Sequence, residues 1–222
     1  MLETHLWRAR ERGSRRLMIV LHGLGDSMEG YRWLPEALEL TWLNYLLVNA
    51  PDEYYGGYSW YDIYGDAGRG ITRSRRLLFE LLDAQREQAG FPTEETTVFG
   101  FSQGGLLTIE LGARYPRPLA GLVGVSGYVH EPDQLLQELS PVARQQRFLL
   151  THGTEDPLIP IAPVRGQVEQ LQAAGLAITW REFSKPHTIA GEAELSVIRD
   201  FVRQSFSVAS LSASPHSAGP LR

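Results

Sequence analysis

Thr97–Tyr115 reads TVFGFSQGGLLTIELGARY, an apolar, β-branched run that passes within a few residues into a helical pattern. At the change stands Gly100-Phe101-Ser102-Gln103-Gly104, a match to G-x-S-x-G. Five such residues alone are a weak signal. Their place between a strand pattern and a helix pattern gives them meaning, because two glycines there let the backbone turn sharply and lift Ser102 above a sheet edge. The helix starting behind the serine offers oriented N–H groups and a positive partial charge, which would stabilise an anion forming beside it.

Outward from this turn the chain alternates between two kinds of segment. Strands are expected at Arg16–Leu21, Tyr45–Val48, Thr96–Phe99, Leu119–Val125, Phe148–Thr151 and Ile178–Phe183. Helices are expected over Glu29–Leu40, Thr72–Gln88, Gly104–Tyr115, Val164–Ala174 and Glu192–Gln204, the second with a stripe of Leu77, Leu78, Leu81 and Leu82. This alternation predicts an α/β fold: a mostly parallel sheet with helices on both faces. Glu3–Arg8 is expected as an antiparallel edge strand. Two stretches break the rhythm. Asp52–Gly70 carries five Gly and five Tyr plus Trp60, the pattern of a functional loop. Residues 205–222 are Ser-rich and carry no charge before Arg222, so the chain divides into a domain at 1–204 and a flexible tail at 205–222.

Composition narrows the function. The 222 residues are 43% hydrophobic and 21% charged, as in an ordinary globular protein, and suffice for one domain. With 21 basic and 26 acidic residues the net charge is −5, the wrong sign for a dedicated nucleic-acid binder. Lys185 is the single lysine, from which no function follows. The absence of cysteine excludes a disulfide scaffold, a zinc–thiolate site and a cysteine nucleophile. No signal-peptide-like start and no long apolar stretch is present, so a soluble, cytoplasmic protein without stable membrane insertion is expected.

A serine hydroxyl needs a base, normally a histidine oriented by a carboxylate. On a fold with this strand–turn–helix element the chain order is Ser, Asp or Glu, then His, each on a loop after a strand. His216 falls in the low-complexity tail, His130 has no strand-borne acid before it, and His152 lacks a suitable preceding acid. His187 follows strand Ile178–Phe183 and fits. Asp156 follows strand Phe148–Thr151 in THGTEDPLIP and is the matching acid, with Glu155 as its neighbour. Ser102, Asp156 and His187 should therefore emerge at one edge of the sheet. The backbone N–H of Gln103 and that of Leu24, in the loop His22-Gly23-Leu24-Gly25-Asp26, are the expected oxyanion donors. His22 reads as a brace for that loop and Asp26 as its anchor.

With these pieces in place the chain resembles the phospholipase/carboxylesterase family of α/β-hydrolases, which includes the acyl-protein thioesterases. The matching segments are LHGLGDS (Leu21–Ser27), NAPD (Asn49–Asp52), SWYDI (Ser59–Ile63), GFSQGG (Gly100–Gly105), THGTEDPLIP (Thr151–Pro160) and PHTI (Pro186–Ile189). The resemblance implies a single-domain α/β-hydrolase fold, a Ser102–Asp156–His187 triad with Leu24 and Gln103 as donors, and hydrolysis of carboxylic esters or thioesters without metal or cofactor. The chain departs from the pattern in two places. Pro186 stands where members often carry Gly, and Asp52–Ser59 is unlike the thioesterase sequence, so no acyl-chain preference is carried over.

The reading is thus a serine carboxylesterase for small to medium acyl esters, acting on a small-molecule substrate. Alternatives are an acyl-protein thioesterase or lysophospholipase, a serine peptidase on the same fold, and a non-catalytic binding protein that keeps the motif. Only residues 126–147 separate two successive strands where larger lipases insert a lid, so a minimal lid, one short helix near Asp133–Leu139, is expected. Trp60 and Tyr61 either line an apolar substrate wall or pack their loop onto the core; Leu158 and Ile159, beside the acid, are candidates for a second wall. A homodimer with the tail as an arm is left open.

Overall fold

The computed structural model describes residues 2–212, with side chains described through residue 206. Its frame is a seven-stranded sheet. Strand β1 (Thr4–Trp7) pairs antiparallel with β3 (Asn44–Val48), and β3 lies parallel to β2 (Leu17–Leu21). Parallel strands β6 (Thr96–Phe101), β7 (Gly121–Val125), β8 (Arg147–Gly153) and β9 (Ala177–Phe183) follow on the other side of β2. The order across the sheet is β1-β3-β2-β6-β7-β8-β9.

Strand β2 shows why the sheet is covered on both faces. All five of its side chains are buried, as the unbroken apolar run LMIVL demands of a parallel strand. Leu17, Ile19 and Leu21 point into a layer with Leu78 and Leu82 of helix α2 (Ala67–Glu87), Leu106 of α3 (Gln103–Arg114) and Val164 of α5 (Ile161–Ala173). Met18 and Val20 point the other way, onto Leu34 and Leu38 of α1 (Leu34–Leu38) and Ile198 and Val202 of α6 (Glu192–Ser212). The period of two along the strand thus divides the core between two helical layers.

After β2 the chain moves to β3 on one side of the sheet and later returns to β6 on the other, where Leu21 pairs with Gly100. The carboxyl ends of β2 and β6 therefore lie side by side at the point where strand order reverses, the usual place for a ligand crevice in an open α/β sheet. The loop at His22–Asp26 and the turn at Ser102 meet there.

Several boundaries differ from expectation for local reasons. Instead of one helix over Glu29–Leu40 there is a 3-10 turn at Met28–Tyr31 and then the short α1, with Pro35 in its first turn; proline has no N–H to give and disfavours helix in the residue before it. Helix α2 begins at Ala67, inside the glycine-rich stretch, because the Asp66 side chain caps it by accepting from the Arg69 N–H. Asp52–Gly70 contains a small hairpin, β4 (Asp52–Tyr54) and β5 (Gly57–Ser59). Helix α6 continues to Ser212, with Ser205 and Phe206 buried, so the domain extends past residue 204. Residues 213–222 of the expected tail, including His216, lie outside the described residues. Between β7 and β8 the longest helix is α4 (Pro132–Gln137), close to the short helix expected there. No helix among the described residues is long and apolar enough to cross a membrane.

Candidate active site

The sharp turn at the head of α3 has a specific steric basis. Ser102 itself takes φ 55° and ψ −114°, a strained conformation for a residue with a side chain, costing about 1–3 kcal/mol. The glycines serve close approach. A Cβ on Gly100 would stand 2.0 Å from the Gly104 carbonyl oxygen, and one on Gly104 would stand 2.2 Å from that of Leu21 in β2. Strand β6 and helix α3 can be packed this tightly only without those carbons. The Ser102 N–H donates to the Val125 carbonyl at 2.9 Å, and its carbonyl accepts from Leu106 N–H at 3.0 Å, which pins the strained residue between β7 and α3.

The carboxylate at the end of β8 is built for a fixed orientation. The Asp156 side chain is fully buried, and its Oδ1 accepts the N–H groups of Leu158 (3.0 Å) and Ile159 (2.9 Å). Its Oδ2 lies 2.7 Å from His187 Nδ1. Burial alone would raise the Asp156 pKa, but the bonds from Ile159, His187 and Leu158 outweigh it and hold the carboxyl below its ordinary value. His187 sits between β9 and α6, half-buried, with its Nε2 2.9 Å from Ser102 Oγ. The Phe101 ring tilts against the imidazole, with centroids 5.0 Å apart. Three side chains from distant parts of the sequence thus form one hydrogen-bonded line: carboxylate, imidazole, hydroxyl.

Across the serine lies the loop after β2. Gly23 packs so close that a Cβ on it would be 3.3 Å from Ser102 Cβ. Gln103 opens α3, so its N–H has no intrahelical acceptor. The Leu24 N–H, one residue beyond Gly23, donates to no other backbone group among the described residues. The hairpin β4–β5 holds this loop: Gly25 N–H donates to Tyr58 carbonyl and Tyr58 N–H to Asp26 carbonyl, each at 2.9 Å. A Cβ on Gly57 would stand 2.1 Å from the Gly25 oxygen.

His22 is fully buried, and both its ring nitrogens are committed. Nε2 accepts from Ala50 N–H at 3.0 Å, so Nδ1 carries the proton, donated to the Gly23 carbonyl at 2.6 Å. Burial lowers its pKa, against the opposing pull of Gly23 and Asp26. It braces the loop, with Trp60 Nε1 donating to its own carbonyl at 2.9 Å. Asp26 Oδ1 accepts the Ser27 N–H at 2.7 Å.

Trp60 and Tyr61 are 0% and 1% exposed, which places both in the core; their anchoring explains it. The Gln103 side chain, which the motif reading passed over in favour of its N–H, accepts from Trp60 N–H and donates to the Tyr61 carbonyl, each at 2.9 Å. The Tyr61 hydroxyl meets that of Tyr128 at 3.1 Å. Leu158 is 71% exposed beside the acid, and Ile159 is half-buried, its carbonyl accepting from buried His152 Nε2 at 2.8 Å. On the other side of His187 a cleft of about 380 Å³ is lined by Tyr31, Trp33, Phe101, Ile189 and Leu195, with Asp26 at its edge.

The sequence matches a family model described as Phospholipase/Carboxylesterase over residues 8–206. Acyl-protein thioesterase 1 of Schizosaccharomyces pombe is 37% identical over 160 residues, 64% of this chain and 69% of that protein. The protein of the same name from Yarrowia lipolytica is 33% identical over 159 residues, 64% and 70% of the two chains. Among solved structures, esterase PE8 superposes with a TM-score of 0.79 at 25% identity, covering 91% of this chain and 98% of its own. The carboxylesterase of Bacillus cereus gives 0.80 at 17% identity, over 93% and 95%, a likeness of fold. The chain belongs to the phospholipase/carboxylesterase family of α/β-hydrolases, enzymes that hydrolyse esters or thioesters.

Proposed function

We propose that this protein is a serine carboxylesterase for small to medium acyl esters, extending to acyl thioesters, with Ser102 as nucleophile, His187 as base and Asp156 as the group that orients the base. One observation carries the reading: the bonded line from Asp156 Oδ2 through His187 to Ser102 Oγ, with steps of 2.7 and 2.9 Å, at the head of α3.

The chemistry follows from the positions of the protons. His187 Nδ1–H is held by the carboxylate, so Nε2 is free to take the Ser102 proton as the hydroxyl attacks the carbonyl carbon. The oxyanion then forms against the N–H groups of Leu24 and Gln103, each worth about 3–4 kcal/mol in the transition state. His187 Nε2 next protonates the leaving alcohol or thiol. Water, activated by the same nitrogen, releases the acid and restores the serine. The sequence calls on no metal or cofactor.

The leaving atom must lie within reach of His187 Nε2, which favours the cleft beside this ring, between Trp33 and Ile189, for the leaving group. The acyl side runs past Leu158 and Ile159. With no helix longer than the six-residue α4 between β7 and β8, the chain inserts no large lid there, which favours water-accessible esters. The thioesterase relatives favour a thioester arm in the same test. p-Nitrophenyl esters of increasing chain length, run beside one acyl thioester, should show a maximum at short to medium chains. Turnover of neither ester nor thioester would refute the reading, and turnover confined to the thioester would transfer it to the thioesterase alternative.

A further inference from the structure

Two buried charges flank the histidine loop and have no part in the mechanism above. Lys185, the single lysine, is 2% exposed, and Glu194 of α6 is completely buried. Lys185 Nζ reaches both Glu194 oxygens, at 2.6 and 2.7 Å. The same carboxylate accepts the Thr151 hydroxyl of β8 at 2.5 Å and the Ala190 N–H at 2.7 Å. One side chain therefore holds the residue two before His187 and the residue three after it. It also holds the strand from which the Asp156 loop departs.

The backbone of Lys185 completes the connection to the acid. Its carbonyl accepts the Glu155 N–H at 3.2 Å, and Phe183 carbonyl accepts the Thr154 N–H at 2.9 Å. Ser184 Oγ donates to Glu155 Oε1 at 2.5 Å. A Cβ on Gly153 would stand 2.3 Å from the Lys185 oxygen, so the two loops are in direct contact. Stability alone is a poor account of such a pair, since burying two charges costs desolvation that apolar side chains of similar size would avoid. An ammonium offers three donors from one compact centre, which suits convergence on a carboxylate already fixed by two other donors.

We propose that Lys185 and Glu194 are positioning residues: they clamp both flanks of the His187 loop and register it against the Asp156 loop, so that the imidazole stays in line between carboxylate and serine. The clamp rests on the esterase reading given above. It acts through His187 and touches no substrate.

Lys185→Met leaves Glu194 buried and unpaired, so folding is tested first; Lys185→Met with Glu194→Gln removes both charges together. The double variant is expected to melt near the wild-type temperature while kcat falls about 10- to 100-fold with KM within about two-fold, the size of effect set by a misplacement near 1 Å. The far-downfield proton resonance of the His187–Asp156 hydrogen bond should broaden or vanish in the same variant. A pair serving only stability moves neither reading once melting is restored, so kcat and resonance within about two-fold of wild type would overturn the proposal. The unmodified enzyme gives a test that needs no variant to fold: phosphonylation of Ser102, which engages His187, should slow hydrogen exchange at Ala190 N–H, and unchanged exchange would contradict the clamp. Wild type that takes no phosphonate sinks the hydrolase reading instead, whereas labelled wild type with an undiminished double variant sinks the clamp alone.

Discussion

Replacing Asp156 by Asn changes one atom and, by the geometry of the site, reverses a proton. The Asn carbonyl oxygen must take the place of Oδ1, because the N–H groups of Leu158 and Ile159 both point at that position. A flipped amide would set its NH₂ against two donors and lose both bonds. The NH₂ therefore replaces Oδ2, 2.7 Å from His187 Nδ1. A donor now faces that nitrogen, so the imidazole gives up its Nδ1 proton and carries one on Nε2. Nε2 then points a hydrogen at Ser102 Oγ across 2.9 Å and cannot accept the serine proton. The expected loss is about 10⁴ in kcat near neutral pH, which is about 5 kcal/mol of transition-state stabilisation at 1.36 kcal/mol per decade. Steady-state hydrolysis of a short p-nitrophenyl ester by the purified variant, with its melting temperature as a folding control, measures the effect. A folded variant keeping more than about a tenth of wild-type kcat would refute the assigned tautomer, and with it the role of the acid.

Further outcomes follow from the same contacts. Gly57→Ala sets a methyl 2.1 Å from the Gly25 carbonyl unless the loop shifts; kcat should fall about 10- to 100-fold with KM little changed, as for a displaced oxyanion donor, and unchanged kcat would show that the hairpin does not set that loop. Gln103→Ala leaves the buried Trp60 N–H without its acceptor, while the Tyr61 carbonyl keeps the Ser59 hydroxyl as donor, which should cost about 1–3 kcal/mol and lower Tm by several degrees in a thermal scan. Asp156 also ties stability to acid. Its folded pKa is depressed, so its contribution is present above the unfolded value near 3.9 and is lost as pH falls below that towards the folded value. Urea unfolding of wild type and Asp156→Asn should accordingly diverge above about pH 4 and converge below it; parallel curves throughout would remove the Asp156 share of that dependence.

What the sequence could and could not reveal divides along physical lines. The strands were readable because a sheet buried on both faces needs unbroken apolar runs, as in β2 and β7. The order Ser102, Asp156, His187 was readable because strand–loop–helix repetition puts every such loop at the same sheet edge, and the structure brings these three side chains within hydrogen-bond reach. The hairpin β4–β5 was not readable, since its three-residue strands are too short for periodicity and it is held by pairing with the loop after β2. Trp60 and Tyr61 left two interpretations open, and the buried Gln103 amide that decides where they lie is a tertiary contact with no local signal. The Lys185–Glu194 pair hid for the same reason: Lys185 stood out as a single lysine, but its partner is known only once α6 packs against β8.

The central claim is that the Ser102 hydroxyl, activated by His187, becomes covalently acylated. Exposure to a fluorophosphonate followed by peptide mass mapping tests it most directly. The account predicts one adduct, on the peptide containing Ser102, complete loss of ester turnover in step with labelling, and no adduct in Ser102→Ala, whose kcat should be lower by about 10⁶. Full activity with Ser102 occupied, or near-normal turnover by Ser102→Ala, would contradict it.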